Sequence, residues 1–198
     1  MDWNKGQNDF PYSEDFTQWG NARTTDTANA TTAPDGSNNA IKLEQVSGQT
    51  NAGSIYYTVS ATGGNDYTLS VFAKAAEKDW VVLYDTNANR TFFDVANGVL
   101  GTNNSGGTAT MEAFANNWYK CSVTYTEPTS TSTPAAFYLA DTDNSTVVTD
   151  SGGIYLWGAS FGLSGTNDVY IPTLSTPQTS PVLLPQGLTS GRDITGVN

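Results

Sequence analysis

The sequence predicts an all-β fold, an antiparallel jelly-roll-like β-sandwich, from its composition, its strand-period alternation and its lack of helical crossovers. The chain of 198 residues is rich in Thr, Ser, Asn and Gly, with 12% aromatic and only 14% charged residues. β-Branched and aromatic side chains suit a pleated surface, and the Glu/Lys/Leu/Ala blend of helical proteins is missing. Alternating apolar and polar runs recur through the middle of the chain, separated by clusters of Gly, Asn, Asp, Ser and Pro that favour turns. No amphipathic stretch is long enough to cross between parallel strands, so the strands are expected to pair antiparallel.

Residues 1 to 36 read as a polar N-terminal segment, with a turn at Ala33-Pro34-Asp35-Gly36. Seven or eight strands are expected among Ala40 to Val46, Ser54 to Val59, Tyr67 to Ala73, Trp80 to Asp85, Thr91 to Val95, Thr108 to Phe114, Trp118 to Thr126, Ala136 to Asp141 and Gly153 to Phe161. Pro128 to Pro134 reads as a Ser/Thr loop. One sandwich domain is assigned to residues 1 to 173, and residues 174 to 198 to an extended Pro-rich tail or linker, because proline disfavours both helix and central strand. A chain of this length can bury a substantial core without help.

Side chains alternate across a strand, so each strand divides into two faces. Tyr119, Cys121, Val123 and Tyr125 form one face of their strand and are expected inside. The same division puts Leu69, Val71, Ala73, Phe137, Leu139, Ile154 and Leu156 inside, and Phe72, Trp118, Tyr138, Tyr155 and Trp157 outside. Such aromatic outer faces suit a sugar platform or a subunit contact, with Trp80, Trp118, Tyr138, Tyr155 and Trp157 as the candidate residues. The competing expectation is that loops or the N-terminal segment of the same chain cover them.

With 8 basic against 19 acidic residues the formal charge is -11, which repels nucleic acid and anionic lipid. No apolar run approaches the roughly 20 residues of a membrane span, and the start of the chain lacks the basic-then-apolar order of a signal peptide. Cys121 is the only cysteine, so an intrachain disulfide is excluded. The absence of histidine removes serine-type triads, papain-like sites and the common His-ligated metal centres. Carboxylate pairs could still hydrolyse a glycoside, but no spacing singles one out. Asp141-Thr142-Asp143-Asn144 resembles the start of a calcium loop yet lacks the following Gly and distal Glu, so a turn is the simpler reading. No catalytic residue, metal or cofactor is therefore expected.

Seven strings carry a resemblance. They are Tyr12-Ser13-Glu14-Asp15-Phe16-Thr17-Gln18-Trp19, Ala33-Pro34-Asp35-Gly36, Tyr67 to Ala75, Phe93-Asp94-Val95-Ala96-Asn97-Gly98, Asn117 to Thr124, Ile154-Tyr155-Leu156-Trp157-Gly158-Ala159 and Tyr170-Ile171-Pro172-Thr173. In this order, over roughly residues 9 to 173, they resemble a bacteriophage domain of head spikes and tail fibres. The resemblance implies a jelly-roll sandwich similar to carbohydrate-binding modules, a place in the virion, other virion proteins as partners and commonly a homotrimer. It implies no catalytic residues. Function is thus expected as a virion structural module, in a fibre, spike or capsid decoration protein, with recognition of a host surface glycan as the alternative.

Overall fold

The computed structural model describes residues 5–165 and 170–181. The N-terminal segment supplies β1 (Lys5–Asn8), a 3-10 turn at Phe16–Gln18, β2 (Gly20–Ala22) and β3 (Thr24–Thr31). β4 (Ala40–Gln45), β5 (Ser54–Ala61), β6 (Asp66–Ala75), β7 (Trp80–Tyr84) and β8 (Arg90–Asp94) follow. The chain continues through β9 (Val99–Asn103), β10 (Thr108–Phe114), β11 (Trp118–Thr126), β12 (Thr131–Ala140), β13 (Gly153–Leu163) and β14 (Gln178–Pro181).

The strands form two six-stranded antiparallel sheets, ordered β10-β11-β6-β13-β4-β3 and β2-β5-β12-β7-β8-β9, and β1 pairs with β14. Between β5 and β7 the chain crosses to the other sheet at β6 and returns, and between β11 and β13 it does the same at β12, which gives the sandwich its jelly-roll-like character. The nine segments read from alternation all occur, with ends shifted by a few residues. Pro128 to Pro134 departs from expectation, because β12 begins at Thr131 and Pro134 pairs with Thr58. There β12 has run past the end of β7, whose pairing begins at Ala136, so the missing N–H of proline costs the sheet little.

The core lies between the sheets. Leu69, Val71, Ala73, Cys121, Val123, Tyr125, Phe137, Leu139, Ile154 and Leu156 are all buried in it, as alternation predicts. Phe10, Phe16 and Trp19 of the N-terminal segment close one part of this core around Phe137, with Phe10 4.6 Å from Trp19 between ring centroids. Each such ring contributes about 1.5–3 kcal/mol through burial. Burial also pushes the Cys121 thiol far up its titration range, so it behaves as a small apolar side chain.

A bulge in β13 resets its faces. The register with β6 shifts between Trp157 and Ser160, and Gly158 takes a φ of +61° that side chains rarely adopt. One extra residue flips the parity, so Trp157 faces outward while Ala159 and Phe161 still point into the core.

Buried Asn8 fastens both chain flanks to β13. Its amide donates to the carbonyls of Ala159 (3.0 Å) and Ile171 (2.9 Å), and its oxygen accepts from the N–H groups of Phe10 and Phe161 (both 3.2 Å). Ser13 and Thr173 bond reciprocally a few residues further on, at 3.0 and 2.8 Å. These bonds lead the segment expected as a tail back to the sandwich, where residues 178–181 pair with β1. The remainder of that expected tail, from residue 182, lies outside the described residues.

Candidate functional site

The five candidate aromatic residues fall on two different faces. Trp118 and Trp157 do point away from the inter-sheet core, but they are 0% and 4% exposed and form a second apolar cluster with Phe72, Ala33 and Ala40. Of the two expectations for the outward rings Phe72, Trp118 and Trp157, coverage by the same chain is the one that holds. The Trp118 indole donates to the carbonyl of Thr32 at 3.1 Å, which ties the Ala33-to-Gly36 turn over the sheet. Tyr170 and Phe114 pack on Phe72 from either side, at 5.9 and 5.0 Å between centroids, and half-buried Tyr155 borders the same cluster.

Trp80 and Tyr138 lie half-buried on the outer face of the other sheet, around a small cluster of Val82, Phe92 and Ala140. Tyr84 stands 5.4 Å from Tyr138 there. This face stays partly open, and its rings keep the capacity for contact that the first face has spent on its own fold.

A roomy cleft lies elsewhere. It has a volume of about 890 Å³ and is bounded by Tyr12 to Thr17, the middle of β3 and Pro172 to Ser175. Local backbone chemistry opens it. β3 pairs with β4 through Thr27 and only resumes at Thr31, and between them Asn29 takes a left-handed φ of 55°, a conformation that asparagine tolerates. The strand thus arches off the sheet, so that the cleft reaches down to half-buried Asn39 and to the edge of the core at buried Ile41.

The lining mixes apolar and hydrogen-bonding groups. Pro172, Leu174 and the Tyr12 ring supply apolar surface, and Leu174 is 82% exposed. Glu14, Asp15, Thr17, Asn29, Asn39 and Ser175 supply donors and acceptors. The Glu14 carboxylate is held in place by Asn39 Nδ2 at 2.9 Å and by the Tyr170 hydroxyl at 3.1 Å. Asp15 caps the 3-10 turn, accepting from the Thr17 N–H at 3.3 Å and from its hydroxyl at 2.5 Å. Burial raises the pKa of the Tyr170 phenol, leaving it a neutral donor to Glu14 at any working pH.

None of the five predicted aromatic residues lines this cleft. Sequence reasoning missed it because it is made where three segments distant in the chain meet. The acidic loop at 141 to 144 behaves as a turn: Asp141 engages Lys78 and Thr149, whereas Asp143 accepts from the N–H of Thr102 at 2.8 Å. Among the described residues no group of His, Cys, Asp and Glu is arranged to hold a metal, and no helix is long and apolar enough to cross a membrane.

Fold and site together define the chain as an antiparallel β-sandwich with a cleft of mixed polar and apolar lining where its two chain flanks meet. No family model matches it, and no curated protein matches it.

Proposed function

We propose that the chain is a non-enzymatic surface module of a bacteriophage virion that binds host-surface glycan in the Tyr12 cleft. The observation that carries the reading is the cleft lining: fixed carboxylate and amide groups interleaved with an aromatic ring and aliphatic side chains. A sugar presents hydroxyls at its rim and C–H groups on its faces, and a lining of this kind meets both. Glu14 and Asp15 are each held by intramolecular donors, which suits orientation of ligand hydroxyls better than proton transfer. The virion setting rests on the ordered motifs between residues 9 and 173.

Titration of the full chain with polysaccharides from bacterial surfaces tests the proposal. Asn29→Gly removes the amide while keeping the left-handed backbone, and Leu174→Ser removes the exposed apolar wall. Saturable binding that each variant weakens by roughly tenfold is expected. Absence of binding across the panel, or binding indifferent to both changes, would overturn it.

A second reading, assembly with other virion proteins or as a homotrimer, is favoured by one separate observation. Val99 and Leu100 on edge strand β9, and Phe114 on β10, are 51%, 43% and 38% exposed, and the two edge strands touch. Light scattering across a concentration series tests it: a stable trimer that Leu100→Asp dissociates supports assembly, and a monomer at all concentrations opposes self-assembly.

A further inference from the structure

The sequence contains three arginines, Arg23, Arg90 and Arg192, of which the last lies outside the described residues. The other two line one pocket. It has a volume of about 190 Å³ and is completed by Asn51, Ala52, Tyr138 and Thr146. It shares no lining residue with the Tyr12 cleft and does not rest on the reading given to that cleft.

Each arginine is fixed by contacts that leave donors unused. Arg23 sits between β2 and β3 with φ 60°, and its Nε and Nη2 both donate to the carbonyl of Ala52, at 3.2 and 2.8 Å. Its second terminal nitrogen has no partner among the described residues. Arg90 opens β8, and its guanidinium lies 5.2 Å from the Tyr84 ring centroid and 5.9 Å from that of Tyr138. Its Nε is buried with no hydrogen-bond partner among the described residues.

The charge balance makes this pairing unusual. Acidic residues outnumber basic ones 19 to 8, yet the ion pairs of the described residues involve Lys42 and Lys78, never Arg23 or Arg90. No carboxylate lines the pocket. Two cations facing one small space repel, and a buried guanidinium N–H without an acceptor bears an uncompensated desolvation cost. An anion in the pocket relieves the repulsion. The stacked rings offset part of the cost through the cation–π interaction but accept none of the in-plane N–H bonds.

We infer that this pocket binds the carboxylate of an acidic sugar. The terminal guanidinium donors that Arg23 and Arg90 have left suit a carboxylate, Asn51 and Thr146 line the same space and can meet adjoining hydroxyls, and Tyr138 offers a ring for a sugar face. A chain of charge -11 disfavours a phosphate dianion more than a carboxylate monoanion.

Calorimetric titration of the full chain with glucuronate, acetate, glucose and inorganic phosphate tests the assignment. Glucuronate is expected to bind roughly tenfold or more tightly than acetate or phosphate, and glucose not to register. Arg90→Gln and Arg23→Gln are each expected to weaken glucuronate binding by roughly tenfold. Arg23 is exposed, so that variant keeps the test decisive even if Arg90→Gln does not fold. No heat with glucuronate, acetate or phosphate binding as tightly, or variants that bind like the parent would each overturn the assignment.

Discussion

The outer faces of the two sheets begin from the same sequence pattern and end differently. Both carry aromatic residues at the alternate positions that point away from the core. On the first sheet, Phe72, Trp118 and Trp157 are sealed under the Ala33 turn and Tyr170. On the second, Trp80, Tyr84 and Tyr138 remain half-buried, the two tyrosines beside Arg90. The difference teaches that an outward ring is a site only if no other part of the chain reaches it. Coverage is a tertiary property, decided here by the turn after Thr32, which lies 86 residues before Trp118, and by Tyr170 on the other flank of the chain.

Replacement of Trp118 by Ala should have the largest effect. It removes a fully buried ring and the indole bond to Thr32, and a loss of about 3–5 kcal/mol is expected in denaturant unfolding. A mutant as stable as the parent would break the contrast between the faces.

Lys78→Met comes next. Lys78 is buried and bridges Asp141 and Asp150, the latter at 2.6 Å, so it clamps both ends of the loop that contributes Thr146 to the arginine pocket. Part of this cluster is exposed to solvent, which screens it, so a loss of about 1–2 kcal/mol is expected.

The same cluster sets a pH dependence. Burial opposes charge on Asp141, but the bonds from Lys78 and Thr149 outweigh it and hold its pKa below the ordinary 3.8; Asp150 is lowered chiefly by Lys78. A depressed carboxylate pKa stabilises the folded state fully above the ordinary value, and this stabilisation fades as pH falls through the folded value. Burial works against the Lys78 ammonium, yet its two carboxylate partners raise its pKa above 10.5, so its contribution persists until strongly alkaline pH. Melting temperature should therefore fall more steeply below about pH 4 in the parent than in Lys78→Met. Parallel acid profiles would count against the clamp.

Tyr138→Ala should have the smallest effect on stability, about 1–2 kcal/mol, because the ring is only half-buried. Its consequence is expected in ligand titrations rather than in unfolding. A cost equal to that of Trp118→Ala would make the two faces equivalent.

Much of the fold was legible in the sequence because its central strands alternate cleanly between core and outer face. What was missed follows a physical rule: β2, β3 and β9 are edge strands of their sheets. With little surface to bury, Thr24–Thr31 and Val99–Asn103 carry no apolar alternation for a reader to find. The bulge at Gly158 was hidden likewise, since parity changes only once the register with β6 is known. The resemblance motifs supplied joints and part of the cleft: Trp19 packs in the core, Ala33 and Tyr170 cover the outer cluster, Ser13 binds Thr173, and Tyr12, Glu14, Asp15, Thr17, Pro172 and Thr173 line the cleft. The rest of the cleft had no sequence signal, because Asn29, Asn39 and Leu174 become neighbours only through the arch in β3 and the return of the chain after Ile171.

Hydroxyl-radical footprinting read by mass spectrometry, with and without bound glycan, tests the contrast most directly. The expected result is modification of Trp80, Tyr138 and Tyr12, with Phe72, Trp118 and Trp157 protected throughout, and protection of Tyr12 when glycan is added. Modification of Trp118 as fast as that of Trp80 would contradict the closed face, and Tyr12 unchanged under saturating glycan would contradict the cleft.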